Sequence, residues 1–128
     1  MTIADILVFV GLISLALGAI SGFAVLAAVD YPDLLVKLKV VDPGRVRQTH
    51  LDWIMMGLLM VAVGLAVPFL PVWIGTLILF GAVVNPATFI PMAFSRTVAS
   101  TWVFKAVSFV SFTSLSVGLV GAVVSFVI

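Results

Sequence analysis

The chain has 128 residues, 64% of them apolar and 9% charged, with a formal net charge of +1. Its mean hydropathy is +1.42, so there are too few polar groups to cover a globule in water and a bilayer is the expected solvent. A charge this small, with no basic tract, speaks against nucleic-acid binding. The absence of cysteine excludes disulfides, thiolate metal sites and iron–sulfur clusters.

Charge-free runs define the predicted elements. The first lies between Asp5 and Asp30 and gives a transmembrane helix over about residues 4–29. The segment 30–49 is the one sizeable polar stretch; residues 33–40 suit a short interfacial helix, and Asp42-Pro43-Gly44 is a turn signal. Residues 53–95 carry no charge, which is room for two spans, and Pro68 and Pro71 mark the turn between them. Those spans are expected at 50–69 and 72–94, and a fourth at 98–127, with Lys105 inside its start. The runs are continuously apolar rather than alternating, which favours helices over a β-barrel. The fold class is therefore all-α, a single integral-membrane domain over residues 1–128 built as a four-helix bundle.

Orientation follows the basic residues. Lys37, Lys39, Arg45 and Arg47 lie in 30–49, Arg96 lies between the third and fourth spans, and the turn between the second and third has no charge. The expected topology has 30–49 and Arg96 in the cytoplasm and both termini outside. With no basic stretch before the first apolar run, a cleaved signal peptide is not expected.

Small residues recur on one face of the first helix (Gly11, Ser14, Gly18, Ser21, Ala28) and of the fourth (Ser111, Ser114, Gly118, Gly121, Ser125). Such faces let helix backbones approach closely in lipid. The two stripes suit contact with each other inside one subunit, or one of them serves an oligomer interface. Four short helices bury little interior of their own, so a homo-oligomer is expected.

A polar or ionisable side chain at membrane depth is expensive and marks a candidate site. His50 is the single histidine, and Ile54, Gly57, Val61 and Gly64 share its helix face. An imidazole above two glycines suits a planar macrocycle such as haem, with Arg45 and Arg47 available to its propionates. The competing reading makes His50 an interfacial helix cap and the arginines topology signals. Asp52 points about 200° away from His50 around the helix and is expected to pair with Lys105 or Arg96. Asn85, beside Pro86 and ahead of Pro91, either orients a substrate in an apolar pocket or bonds a neighbouring helix near a bend. Lys105 is placed to snorkel to the interface.

The stretch from Asp42 to Gly57, DPGRVRQTHLDWIMMG, resembles the membrane isomerases typified by styrene oxide isomerase and the hydroxylaminobenzene mutases. The resemblance rests on Pro43-Gly44, Arg47, His50 followed by Leu51 and Asp52, and Gly57, with the Asn85 segment matching in placement. It implies a small trimeric four-helix protein of the bacterial inner membrane that binds haem b, with His50 as axial ligand to the iron. It also implies a Lewis-acid isomerisation of a small apolar substrate, such as epoxide to aldehyde, with Asn85 and Phe89 at the pocket positions. Three positions depart from the family's polar groups: Met56 stands for an asparagine, Gly81 for an aspartate and Phe89 for a tyrosine. Two other readings stay open. One is a non-enzymatic subunit of a larger membrane complex, since YPDLLVKLK faintly resembles a stretch of the small G-type subunit of multisubunit cation/proton antiporters. The other is a haem sensor or electron carrier.

Overall fold

A computed structural model describes residues 1–128. The chain is all-helical: α1 (Ile3–Asp30), α2 (Pro32–Lys37), α3 (Pro43–Ala66), α4 (Val72–Phe94) and α5 (Trp102–Val127), with one turn of 3-10 helix at Val98–Ser100. Four of these helices, α1, α3, α4 and α5, are long and apolar enough to cross a membrane.

Helix starts follow local chemistry. Thr2 and Asp5 form a reciprocal cap on α1: the Asp5 amide donates to Thr2 Oγ1 (3.2 Å) and the Thr2 amide to Asp5 Oδ2 (2.7 Å). Thr101 Oγ1 accepts from the Phe104 amide at the start of α5. The largest difference from the sequence-based boundaries is at α3, expected from residue 50 and found from Pro43. Asp42, read as part of a turn, is its N-cap, with Oδ1 accepting from the Gly44 amide (3.1 Å) and proline at the first helical position. His50 therefore lies about two turns inside the helix and does not open it. The start of α5 also differs, at 102 and not 98, because residues 98–100 wind as 3-10 helix.

The long helices stand in an open order. α1 packs along the whole of α3, α3 against α4, and α4 against α5, while α1 meets α4 only slightly. An apolar cleft of about 420 Å³ separates the C-terminal halves of α3 and α5, so the bundle does not close on that side. Leu7, Met60 and Ile78, from α1, α3 and α4, are fully buried, and Leu115 and Ala122 of α5 join the same core. Outside that core the surface is apolar: Phe23 is 75% exposed and Val120 66%. Trp73 at the start of α4 and Trp102 at the start of α5 are exposed near opposite ends of the bundle, the positions that favour indole rings in membrane-spanning helices.

The small-residue stripes do not face each other. The α1 stripe closes on α3: a Cβ added at Gly11 would lie 2.8 Å from Gly57 O, and one at Gly18 2.5 Å from Ile54 Cγ1. The α5 stripe closes on α4: a Cβ at Gly118 would lie 2.7 Å from Ile78 Cγ1, and Ser114 Oγ donates to Leu77 O (2.9 Å). Adjacent antiparallel helices reach backbone contact through these residues, by dispersion and hydrogen bonds rather than by a hydrophobic drive.

At one end the connecting segment is fastened to α4. The amides of Val41 and Asp42 both donate to Ala93 O (2.8 and 3.2 Å), and Arg96 Nη2 donates to Val41 O (2.8 Å). Lys39 there adopts φ 63°, the left-handed region, just after the end of α2.

Candidate functional site

The α1–α3 contact sets the surroundings of His50. Its imidazole is half-buried and lies on α1: Nδ1 is 2.7 Å from Gly18 O and 3.2 Å from Ser21 Oγ. Gly22 passes beneath the ring, and a Cβ there would lie 3.3 Å from His50 Cε1. Nε2 has no protein partner, and no buried side-chain nitrogen or oxygen in the chain is unpaired, so Nε2 reaches the protein surface. His50 therefore sits inside α3 and not at its end, with one ring nitrogen fixed on the α1 backbone and the other without a protein partner.

The glycines of α3 have a different role from the one expected. A Cβ at Gly57 would lie 2.8 Å from Gly11 O and 2.9 Å from Leu15 Cγ, and one at Gly64 would lie 2.6 Å from Ala4 O. The slot that Gly57 was expected to clear for a macrocycle is filled by α1, because the α3 glycine face is the face that α1 packs on. The fit to haem is thus partial. His50 suits an iron ligand, whereas no flat bed lies between α1 and α3.

The arginines divide. Arg45 is engaged: Nη1 donates to Gln48 Oε1 (2.6 Å), Nε lies 3.5 Å from Asp42 Oδ2, and the guanidinium stands 6.0 Å from the centre of the Phe89 ring. Arg47 is exposed, has no protein partner, and lies three residues before His50 on the same side of α3.

Asn85 is 6% exposed and bonded across helices: Ser111 Oγ donates to Asn85 Oδ1 (2.7 Å). The interhelical bond open to it is thus formed through Oδ1, while Nδ2 has no protein partner. Phe89 is half-buried against Arg45. Neither residue lines the small, mostly apolar cleft of about 150 Å³ between α1, α3 and α4, whose walls include Ser21, Thr49 and Phe94 but not His50. Asp52 is half-buried and has no hydrogen-bond or ion-pair partner, so the expected pairing with Lys105 or Arg96 is not formed. Lys105 is exposed about one turn into α5, and Arg96 is turned to the Val41 carbonyl. The one ion pair is the local Arg45–Asp42 contact.

Gly18 and Ser21 were legible only as members of a packing stripe. Their contact with His50 depends on the register between α1 and α3, which helical periodicity alone does not fix.

Compared with known proteins, the chain matches no family model, no curated protein and no solved structure.

Proposed function

We propose that this multi-pass membrane protein binds haem b through His50 and isomerises a small apolar substrate, as the resemblance of its Asp42–Gly57 stretch to the styrene oxide isomerases implies. The observation that carries the reading is the imidazole itself: the single histidine of the chain is anchored through Nδ1 and leaves Nε2 without a partner at the surface. Metal-bound histidines are characteristically held this way, with the second ring nitrogen on a carbonyl. Bound haem supplies a Lewis acid for an epoxide oxygen, with no net redox change.

The chain's own residues supply the rest. His50 offers a neutral nitrogen donor. Arg47, free and beside it, is the residue suited to a carboxylate at the site's edge, in place of Arg45. The mostly apolar cleft between α1, α3 and α4, which shares Ser21 with the anchor of His50, is the space this reading assigns to a small hydrophobic substrate. Neither Asn85 nor Phe89 lines that cleft, so selectivity in this reading comes from the cleft's size.

The proposed setting is a trimer in the bacterial inner membrane, with the 30–49 segment inside. What supports the orientation is that Arg45, Arg47 and Arg96 gather where that segment meets α4, while the 67–71 turn at the far end is uncharged. Single cysteines at Lys39→Cys and Phe69→Cys, labelled from either side, read it directly.

The test is an absorption spectrum of detergent-purified protein. A Soret band that disappears in His50→Ala is expected, followed by phenylacetaldehyde from styrene oxide. No Soret band, or one unchanged in the variant, refutes haem ligation; a band without product refutes the isomerase. One observation favours a second reading, a non-enzymatic subunit of a larger membrane complex: α5 is held almost entirely by α4 and leaves the α3–α5 cleft open. Absence of haem together with co-purification of further subunits is the result expected there.

A further inference from the structure

We infer that Gly18, Ser21 and Gly22 of α1 form a positioning device that locks the His50 proton on Nδ1 and holds Nε2 as a bare lone pair, before any ligand arrives. The inference deepens the proposed haem site and rests on that reading only for its metal arm.

A carbonyl oxygen accepts and never donates, so a nitrogen 2.7 Å from Gly18 O must carry a hydrogen. The neutral ring has one such hydrogen, and Nε2 is then unprotonated. Ser21 fits the same assignment. Its hydroxyl donates to Gly18 O (2.8 Å), which leaves a lone pair toward Nδ1–H at 3.2 Å. The alternative, in which Ser21 donates to a bare Nδ1, sets the Nδ1 and Gly18 O lone pairs against each other at hydrogen-bond distance. Gly22 allows the approach: any side chain there meets Cε1 at 3.3 Å and Nδ1 at 3.8 Å. The device comes from one helix turn of α1, whereas the ligand comes from α3. Ser21 and Gly22 touch the imidazole and act through it, so they are positioning residues.

A hydrated imidazole favours the opposite tautomer, with hydrogen on Nε2, so the device makes a prediction that simple exposure does not. Because the chain has one histidine, histidine-selective ¹⁵N labelling gives one pair of ring signals without ambiguity. In haem-free protein at a pH where the ring is neutral, the Nδ1–H form is expected. Gly22→Val, which pushes the ring off α1, is expected to move the signals toward the Nε2–H form. Ser21→Ala is expected to broaden them, and Ser21→Thr, which keeps the hydroxyl, to restore them. In haem-loaded protein, Ser21→Ala is expected to weaken haem binding by about tenfold, as loss of a hydrogen-bond partner to a ligating histidine does, and Ser21→Thr to restore it.

An Nε2–H spectrum in the wild type, or Gly22→Val with wild-type ring signals and wild-type helicity, overturns the inference. Nδ1–H signals in a protein that takes up no haem sustain the lock and refute haem binding, so the two failures are distinct.

Discussion

The α1–α3 seam makes its strongest prediction at Gly57. Replacing it by alanine places a Cβ 2.8 Å from Gly11 O and 3.0 Å from the Leu15 amide nitrogen, both backbone atoms that cannot rotate away. Ordinary contact begins at 3.4 Å, so the two helices must part by the difference, 3.4 − 2.8 = 0.6 Å. A gap of that size forfeits a quarter to a half of each dispersion contact along the seam, and overpacking of this kind costs about 1–3 kcal/mol. Alanine recovers about 1 kcal/mol of helix propensity. The net expectation for Gly57→Ala is a loss of up to about 2 kcal/mol. Gly121→Ala is the milder case: its nearest neighbours are Ile74 side-chain atoms at 3.0 and 3.2 Å and no backbone atom, so a smaller loss than at Gly57 is expected. Gly11→Ala opens the same seam against Gly57 O, so the Gly11→Ala/Gly57→Ala pair is expected to lose less than the sum of the single changes. The assay is unfolding in mixed micelles as SDS is titrated, followed by circular dichroism. Stability of Gly57→Ala above wild type, or strict additivity of the pair, refutes backbone contact between α1 and α3.

Two further substitutions probe the polar groups inside the helices. Ser111→Ala leaves Asn85 Oδ1 without its donor and is expected to destabilise the α4–α5 contact by about 0.6 kcal/mol, the average for interhelical bonds in lipid, and by no more than about 1.7 kcal/mol; an unchanged SDS midpoint removes the bond from the account. Asp52→Asn breaks no ion pair and is expected to be neutral or stabilising. In a double-mutant cycle with Lys105→Met the coupling is expected to stay within about 0.5 kcal/mol, and a larger value restores the pairing expected from their placement at one end of the bundle.

Pattern and composition carried most of the architecture. Span α4 falls on the expected 72–94, and α1 differs by a residue at each end, because both are bounded by hard signals: a proline turn, and the charges at Asp5 and Asp30. The start of α3 was hidden because Asp-Pro-Gly reads equally as a turn or as a cap with proline at the first helical position, and only the path of the following backbone separates them. At the site, His50 and Arg47 were legible as rare polar groups in an apolar chain. Their division of labour from Arg45 was not, since the bonds from Arg45 to Gln48 and Asp42 compete with any ligand only once side-chain directions are fixed.

The sequence by itself determined the solvent, the number of spans and the few side chains able to do chemistry, because these depend on composition and on period, which each segment carries alone. Tertiary structure decided which faces meet. The glycines at 57 and 64 face α1 and no macrocycle, the α5 stripe faces α4 and not α1, and Ser21 reaches the one histidine, because helix pairing and register are set by close backbone contacts between segments far apart in the chain.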